Sequence, residues 1–157
     1  MRIGQSTDIH PLVEGRDLIL GGVKIESPLG AMGHSDADAL THAIAESLLG
    51  ALALGDLGKH FPDTDPRYKG ISSLIILKEC VQKIQDEGYR IGNIDALVLL
   101  ERPKLAPYMP QIKASLCSVL GIEDNQLNLK ATRGEGLGFI GRSEGLMAQA
   151  VCLVEKI

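Results

Sequence analysis

The order of strand-like and helix-like segments constrains the fold of this chain more than any other feature. Three strand patterns come first: residues 2–10 and the two arms of a hairpin, 18–20 and 23–25, which a two-glycine turn joins. Two helix patterns follow, and then a strand, a third helix, a short strand and a final apolar run. This mixed order predicts an α+β domain in which helices pack on one sheet.

Caps, glycines and prolines give the expected boundaries of these elements. N-cap candidates at Ser35-Asp36-Ala37-Asp38 predict a first helix that runs to about Leu54, and the other helices are expected at 72–88 and 112–120. The later strands are expected at 91–101 and 127–131. Residues 55–70 form a long loop without a pattern of its own, and such loops often carry function. The final run, Leu146 to Val154, fits a helix because of its alanines and a strand because of its β-branched residues.

Length and composition exclude several classes of protein. The chain has 157 residues, which favours one domain spanning 1–157, and its 45% apolar and 23% charged residues argue against disorder. It has no apolar run long enough to cross a membrane, and its N-terminus lacks the apolar core of a signal peptide. A net charge of -4 and 3% aromatic residues argue against binding to nucleic acid. We therefore expect a cytoplasmic protein without nucleic-acid or membrane partners.

The cysteines support the same compartment. Cys80, Cys117 and Cys152 are widely separated, lie in apolar contexts and form no C-x-x-C pair. Buried thiols in a reducing compartment fit this pattern better than a disulfide or a zinc–thiolate site does.

A first candidate site begins at Asp8-Ile9-His10. If this segment is extended, the carboxylate and the imidazole point to the same face and can reach one ion. A third ligand could come from the stretch His34 to His42, in which Asp38 and His42 lie one helical turn apart. Three protein ligands and one open position are what a catalytic zinc site needs. The spacing alone is a weak signal, and polar surface residues are the alternative interpretation.

A second cluster places Asp56, Asp63 and Asp65 in the long loop. The acidic residues do not match a calcium-binding loop, because their positions are wrong and the twelfth-position Glu is missing. Two interpretations remain open. Spacing alone favours a solvated loop whose aspartates cap turns, and the alternative is a loop that contacts sugar hydroxyls or cations.

A third cluster is the glycine-rich segment 132–142. It contains G-x-G-x-x-G, but the chain ends too soon afterwards for a dinucleotide-binding βαβ unit, so we reject that interpretation. Its backbone N–H groups, with Lys130, Arg133 and Arg142, suit phosphate oxygens, although a mobile surface loop fits the composition equally well. Glu135 beside phosphate suggests a bridging Mg²⁺. Together the clusters indicate metal-assisted chemistry on a phosphorylated small molecule.

Over essentially its whole length, the chain resembles the 2-C-methyl-D-erythritol 2,4-cyclodiphosphate synthases of the non-mevalonate isoprenoid pathway. Two segments are specific to that family. They are His34-Ser35-Asp36-Ala37-Asp38 followed by His42, and Phe61-Pro62-Asp63-Thr64-Asp65-Pro66.

The resemblance implies a ferredoxin-like α+β sandwich, with a mixed four-stranded sheet, helices on one face, a small hairpin and a strand for the final run. It implies a homotrimer with active sites between subunits, in the cytoplasm or, after removal of a transit peptide, in a plastid-type stroma. The implied enzyme is a phosphorus–oxygen lyase. The 2-phosphate of 4-diphosphocytidyl-2-C-methyl-D-erythritol 2-phosphate attacks the β-phosphorus, CMP leaves, and the cyclic diphosphate forms.

The resemblance also assigns roles to residues. Asp8, His10 and His42 match the ligands of a divalent transition metal, expected to be zinc, and Glu135 matches a ligand of a second cation, Mg²⁺ or Mn²⁺, that accompanies the substrate. His34 and Arg133 are the implied catalytic residues. The implied substrate-binding residues are Asp8, His10, His34, Ser35, Asp56, Leu57, Gly58, Phe61, Pro62, Asp63, Thr64, Asp65, Leu100, Glu101, Arg102, Pro103, Lys104, Leu105, Ala106, Thr132, Arg133, Gly134, Glu135, Phe139 and Arg142.

Three positions depart from the family pattern. Arg133 stands where the family usually has a threonine that contacts the diphosphate, and Glu46 stands where aspartate is usual. Thr7 lies where an aromatic residue commonly borders a central cavity that can hold an isoprenoid diphosphate. Arg133 leaves open a second function, a catalytically impaired protein that binds cytidine diphosphate ligands. A third is a metal-dependent phosphohydrolase that uses water as its nucleophile.

Overall fold

The computed structural model describes all residues, 1–157. The strands are β1 (Arg2–Val13), β2 (Leu18–Leu20), β3 (Val23–Ile25), β4 (Gly30–Ala31), β5 (Tyr89–Leu99), β6 (Leu127–Thr132) and β7 (Gly145–Lys156). The helices are α1 (Ala39–Ala51), α2 (Leu57–His60), α3 (Ser73–Asp86), α4 (Met109–Leu120) and α5 (Gly138–Gly141), with short 3-10 turns at Pro66–Tyr68, Ala106–Tyr108 and Asp124–Gln126. None of the helices is long and apolar enough to cross a membrane.

Five strands form one mixed sheet in the order β4-β1-β7-β5-β6. β7 pairs antiparallel with β1 on one side and with β5 on the other, and β6 runs parallel to β5. β2 and β3 form the separate small hairpin. The α+β class is confirmed, and the sheet has one strand more than the four expected. The extra strand, β4, pairs with the end of β1. β4 is only two residues long, which is too short to give a periodic signal in the sequence.

The helices cover one face of this sheet. On β7 the buried residues Ala148, Ala150, Cys152 and Val154 alternate with more exposed ones, as expected when only one face is covered. Helix α1 packs most closely against β1 and β7. Gly4 on β1 permits this close approach, because a Cβ there would overlap the carbonyl oxygen of Ser47 on α1.

The hairpin fixes where α1 begins. Gly21 and Gly22 form its turn with φ of +58° and +73°, which residues with a side chain rarely adopt. Both of their N–H groups donate to the carboxylate of Asp38, which also caps α1 by accepting from the Thr41 N–H. The N-terminal end of α1 is thereby held against the hairpin, and this placement sets the position of His42 one turn further on.

Several element boundaries differ from the expectation. α1 starts at Ala39, directly after Asp38, one of the expected N-cap candidates, and ends at Ala51 rather than near Leu54. The long loop contains α2 and a 3-10 turn. α4 starts three residues early, at Met109, because Pro110 is tolerated in the first helical turn. The final run is a strand, as the family resemblance implies.

Candidate metal centre

Three potential ligand atoms converge where β1 faces α1. Asp8 Oδ2 lies 2.9 Å from His10 Nε2 and 3.2 Å from His42 Nδ1, and all three atoms lie within 4.8 Å of one another. Because β1 is extended, Asp8 and His10 share a face, as predicted, while α1 supplies His42. The side chains are 27%, 15% and 16% exposed, so the centre is half sheltered and open on one side. One carboxylate and two imidazoles form a donor set suited to a divalent transition metal.

A hydrogen bond fixes which nitrogen of His10 faces the centre. Its Nδ1 lies 2.9 Å from the carbonyl oxygen of Met32, which can only accept, so Nδ1 carries the proton. Nε2 then faces Asp8 and the centre: in the metal-free chain it donates to the Asp8 carboxylate when the imidazole is charged, and in the neutral imidazole its lone pair can ligate a cation. Outer hydrogen bonds of this kind orient histidine ligands in metal sites generally.

The electrostatics couple the aspartate to both histidines. Burial acts to raise the pKa of Asp8, but hydrogen bonds and charges from His10 and His42 outweigh it and lower that pKa to about 2. Burial acts to lower the pKa of His10, but the hydrogen bond and charge of Asp8, with the Met32 carbonyl and the charge of Asp38, raise it overall. The Asp8 side chain is therefore a carboxylate at neutral pH and is ready to ligate a cation.

Asp38 does not reach this centre, although the sequence left it open as a ligand. Its carboxylate is fully buried and points into the hairpin turn, where it accepts from Gly21, Gly22 and Thr41. Its position on α1 is one turn before His42, but the hairpin captures it instead. Asp38 is a structural residue of the helix N-terminus.

A cavity of about 280 Å³ opens beside the three ligands. Predicted site residues in its wall include His34, Ser35, Leu57, Phe61 and Asp63. The wall also contains residues outside the expected set, namely Ser6, Thr7, Glu46, Tyr68 and Ile76.

Of these additional wall residues, Glu46 could have been found from spacing. It lies four residues after His42, on the same face of α1. Its carboxylate accepts from the Ser6 hydroxyl and from the Leu57 N–H, both at 3.1 Å. Glu46 therefore ties the first residue of α2 to β1 beside the metal centre.

The aspartates of the long loop divide between the two interpretations. Asp56 caps α2 through the Lys59 N–H at 2.9 Å, and Asp65 pairs with Arg67 at 2.7 Å. Hydrogen bonds from Arg67 lower the pKa of Asp65. Asp63 faces the cavity, whereas Asp56, Gly58, Pro62, Thr64 and Asp65 are not part of its wall. Turn capping therefore accounts for two of the three aspartates.

A second cavity, of about 330 Å³, joins the other two predicted segments. Its wall brings together the loop 100–106 and the residues after β6. The lining residues are Leu100, Pro103, Lys104, Leu105, Ala106, Ala131, Thr132, Arg133 and Glu135. Glu101 and Arg102 line a neighbouring open cleft, which Arg133 also borders. Glu135 lines this second cavity and is not among the side chains that converge with Asp8.

Hydrogen bonds hold part of the glycine-rich segment in place. The Gly134 N–H donates to Glu101 at 2.8 Å, and the Gly141 N–H donates to the carbonyl of Leu137. Lys130 is not beside this segment, because it pairs with Asp95 on the outward sheet face at 2.6 Å. The N–H groups of Leu137, Gly141 and Arg142 bond to carbonyl groups of the segment itself, with Gly138–Gly141 folded as α5, and phosphate binding by this loop stays a prediction.

The charged side chains of this segment are exposed. Arg142 pairs with Glu144 at 2.9 Å, and Arg133 lies 3.7 Å from Glu135, with side chains 61% and 76% exposed. Glu135 has a φ of +54°, and Phe139 is 36% exposed. Arg133, Glu135 and Phe139 thus remain free to contact a ligand from the open side.

Comparison with known proteins gives consistent matches. The YgbB family model matches residues 1–155. The 2-C-methyl-D-erythritol 2,4-cyclodiphosphate synthase of Clostridium acetobutylicum is 56% identical over 154 residues, which are 98% of this chain and 99% of the relative. The bifunctional IspDF from Campylobacter jejuni superposes with a TM-score of 0.95 at 35% identity over 99% of this chain and 42% of that longer chain. A 2C-methyl-D-erythritol-2,4-cyclodiphosphate synthase in its CDP-bound form gives 0.91 at 38% identity, covering 98% of this chain and 100% of its own.

Proposed function

The chain belongs to the YgbB family, in which its relatives are 2-C-methyl-D-erythritol 2,4-cyclodiphosphate synthases, and we propose that it catalyses their cyclisation reaction. An oxygen of the substrate's 2-phosphate attacks the β-phosphorus, the bond from that phosphorus to the CMP oxygen breaks, and CMP leaves with the electron pair. The enzyme is thus a phosphorus–oxygen lyase. The observation that carries this proposal is the convergence of Asp8, His10 and His42 beside a cavity. An intramolecular attack needs mainly positioning and neutralisation of charge.

Zinc is the proposed metal at Asp8, His10 and His42. Two imidazole nitrogens and one carboxylate oxygen suit its borderline softness, and three ligands leave a fourth position open. A zinc ion held there would polarise a phosphate oxygen and neutralise its charge. Glu135 is proposed as a ligand for a second cation, Mg²⁺ or Mn²⁺, because a carboxylate oxygen is the donor these hard ions prefer.

The two cavities have different proposed occupants. His34 and Ser35, in the wall beside the metal ligands, would hold the methylerythritol phosphate, with His34 exposed enough to reach it. Asp56, Gly58 and the residues Phe61 to Asp65 would contact or frame the sugar. The cavity between 100–106 and 131–135 would hold the cytidine diphosphate. Phe139 and Arg142, which do not line it, are proposed as further contacts of the substrate. Related structures carry CDP in their names, which supports a nucleotide ligand.

Arg133 would contact the diphosphate from the wall of the nucleotide cavity. Its guanidinium is 3.7 Å from Glu135 and exposed, so it can turn towards phosphate at little cost. The second function, a protein that binds without turnover, gains no support from the comparisons, because the relatives are named as synthases. Arg133→Thr tests the residue directly. Lower turnover in the variant means that the arginine assists the reaction, and higher turnover means that it hinders it.

A homotrimer with sites between subunits is the proposed assembly. In one chain Glu135 and Asp8 line different cavities, and a neighbouring subunit that places its Glu135 cavity beside the metal ligands would complete the site. The uncovered sheet face carries Ile3, Ile9 and Val151, which are 70%, 53% and 45% exposed. Exposed apolar side chains of this kind mark an interaction surface.

Residues 1–157 are proposed to form one synthase domain, since the family model spans nearly all of them. The proposed compartment is the cytoplasm, which the free thiols of Cys80, Cys117 and Cys152 support. The partners are the small-molecule substrate and further copies of this chain. A net charge of -4 gives no support for binding to nucleic acid or to an anionic membrane surface.

The test is a product analysis with the purified protein. We would incubate it with 4-diphosphocytidyl-2-C-methyl-D-erythritol 2-phosphate, Zn²⁺ and Mg²⁺, and follow the products by mass spectrometry with a chelator control. Equal amounts of CMP and cyclic diphosphate, lost on chelation and in His42→Ala, are the expected result. His60→Ala is the matched control, because His60 lies on α2 and bonds to the carbonyl of Leu54, away from the metal centre.

Other outcomes of this experiment point to the other functions. Bound substrate without conversion would contradict the synthase proposal and indicate a binding protein. Acyclic phosphates that incorporate ¹⁸O from labelled water would instead indicate a hydrolase.

A further inference from the structure

A buried serine from a distant part of the chain contacts the outer nitrogen of His42. Ser73, the first residue of α3, is fully buried, and its Oγ lies 2.7 Å from His42 Nε2. Ser73 is in turn held by Asp36, whose carboxylate accepts from the Ser73 hydroxyl and, at 3.0 Å, from the Ser73 N–H. The carboxylate, the hydroxyl and the imidazole therefore form a chain that ends at a proposed metal ligand.

Counting donors and acceptors shows which group donates in each of these hydrogen bonds. A carboxylate can only accept, so the single proton of the Ser73 hydroxyl goes to Asp36. The Ser73 oxygen must then accept, which places the His42 proton on Nε2. Nδ1, which faces Asp8 at 3.2 Å, is then the nitrogen left to ligate a metal; in the metal-free chain it can carry a second proton and donate to the Asp8 carboxylate, which can only accept.

Ser35 lies at the same nitrogen but cannot replace Ser73 in this role. Its Oγ is 3.1 Å from His42 Nε2 and also accepts from the Ala37 N–H at 3.2 Å. No carboxylate bonds to the Ser35 hydroxyl, so its proton is free to rotate. Only the Asp36–Ser73 pair sets the direction of the hydrogen bond.

We propose that Asp36 and Ser73 are positioning residues that hold His42 in its Nε2-protonated form, with Nδ1 aimed at the metal. This inference rests on the proposed metal centre and extends it to two residues that do not line the cavity beside it. Losing such an outer hydrogen bond typically weakens metal binding about 10- to 100-fold. Neither residue has to touch the substrate for this effect.

The position of Ser73 also links α3 to the metal centre. Ser72, at the N-cap, makes no side-chain capping bond, and Asp36 satisfies the Ser73 N–H instead. The start of α3 and the orientation of His42 therefore depend on the same carboxylate. Ser72→Ala is consequently a matched control, since it removes a neighbouring hydroxyl that has no part in the chain of bonds.

The experiment measures the Zn²⁺ dissociation constant of the metal-stripped protein by chelator competition, without substrate. Ser73→Ala is expected to bind Zn²⁺ about 10- to 100-fold more weakly than the unchanged protein, while Ser72→Ala stays within about threefold. With excess Zn²⁺, the turnover of Ser73→Ala should return towards normal, because the residue acts through the metal ligand. Ser73→Thr retains a hydroxyl and should restore much of the affinity.

A second variant reports on the direction of the hydrogen bonds even if Ser73→Ala folds poorly. In Asp36→Asn the amide can donate to Ser73, which frees the serine proton to point at His42 Nε2. Nitrogen NMR of the metal-free protein should then show a proton on His42 Nε2 in the unchanged chain and its loss in the variant, whether or not Nδ1 also carries a proton towards Asp8.

Two results would distinguish a failure of the positioning role from a failure of the proposed metal centre. Equal Zn²⁺ affinity in Ser73→Ala and the unchanged protein, with the same His42 tautomer in Asp36→Asn, would overturn the positioning role alone. An unchanged protein that binds no Zn²⁺ would overturn the metal centre itself, and the positioning role with it.

Discussion

The carboxylate of Asp38 accepts a hydrogen bond from the Gly22 N–H at 2.8 Å, which joins the start of α1 to the turn of the hairpin. It also accepts from the Gly21 N–H and from the N–H and hydroxyl of Thr41, and the residue is 0% exposed. Burial raises the pKa of this carboxyl despite these four donors. Asp38 thus organises two elements around a position from which water is excluded.

Asp38→Ala should lower the free energy of unfolding by about 3 kcal/mol or more, because three backbone N–H groups lose a charged acceptor in a buried place. Asp38→Asn should cost less, since the amide oxygen can still accept from one side. Urea unfolding of the metal-free proteins measures both. Asp86→Ala, at the exposed end of α3, is the control and should stay within about 0.5 kcal/mol of the unchanged protein. Equal losses for Asp38→Ala and Asp86→Ala would contradict the role given to Asp38.

Two glycines on facing elements should respond oppositely to alanine. A Cβ at Gly4 would overlap the Ser47 carbonyl oxygen, so Gly4→Ala forces β1 and α1 apart and should cost several kcal/mol, on the order of an overpacked core. Gly50 lies within α1 and is exposed, and beyond the backbone of its own helix no atom lies within 4 Å of the place an added Cβ would take. Gly50→Ala should therefore stabilise the protein by about 0.5–1 kcal/mol. Thermal unfolding compares the pair. A stable Gly4→Ala variant would mean that β1 and α1 do not pack this closely.

Much of the fold could be predicted because it depends on local patterns. The Gly21–Gly22 turn specified the hairpin, and period-two spacing placed Asp8 beside His10. The final run stayed ambiguous because β7 is a central strand with helices on one face, where small residues such as Ala148 and Ala150 fit. Alanine by itself favours helices over strands, so only the pairing with β1 and β5 decides the structure.

The parts of the site that could not be predicted depend on contacts between distant residues. Ser73 reaches His42 across 31 positions, and Glu101 reaches Gly134 across 33. Neither contact has a periodic signal, because each depends on how α3 or β5 packs in the finished fold. Asp38 shows the reverse case. Its spacing from His42 suggested a metal ligand, but the hairpin N–H groups bind it instead.

The uncovered sheet face should be buried in an assembly of identical chains. Ile3 pairs in register with Leu153, and Ile9 pairs with Met147, so apolar side chains from two strands share this face. Ile3→Asp should dissociate the proposed trimer, because burying an unpaired charge in an interface is costly. Analytical ultracentrifugation measures the change. Ile75→Asp on α3 replaces a side chain that is 50% exposed on the other side of the molecule and should leave the assembly intact. A monomeric unchanged protein would contradict the assembly itself.

The stability of the metal-free protein should depend on pH through Asp8 and His10. The pKa of Asp8 is lowered from 3.8 to about 2 in the folded chain, so its contribution is complete above pH 3.8 and is lost as the pH falls towards 2. The pKa of His10 is raised above 6.5, so its contribution is complete below pH 6.5 and is lost as the pH rises through the folded value. Both shifts describe one interaction, which is therefore strongest between about pH 4 and 6.5.

Asp8→Asn should remove this pH dependence of stability. The difference between the variant and the unchanged protein reports the contribution of Asp8, because the other titrating groups are common to both. The lowered pKa of Asp8 corresponds to about 2 kcal/mol at about 1.4 kcal/mol per pKa unit, allowing for its partial exposure. Urea unfolding of chelator-treated protein at pH 3, 5.5 and 8 should show the largest difference between the two proteins at pH 5.5. The same difference at all three pH values would mean that Asp8 does not interact with the histidines as charged groups. The metal competes with protons for the same three side chains, and neutral imidazoles bind it best. With saturating Zn²⁺, the free energy of unfolding of the unchanged protein should therefore rise, rather than fall, as the pH increases above 6.5.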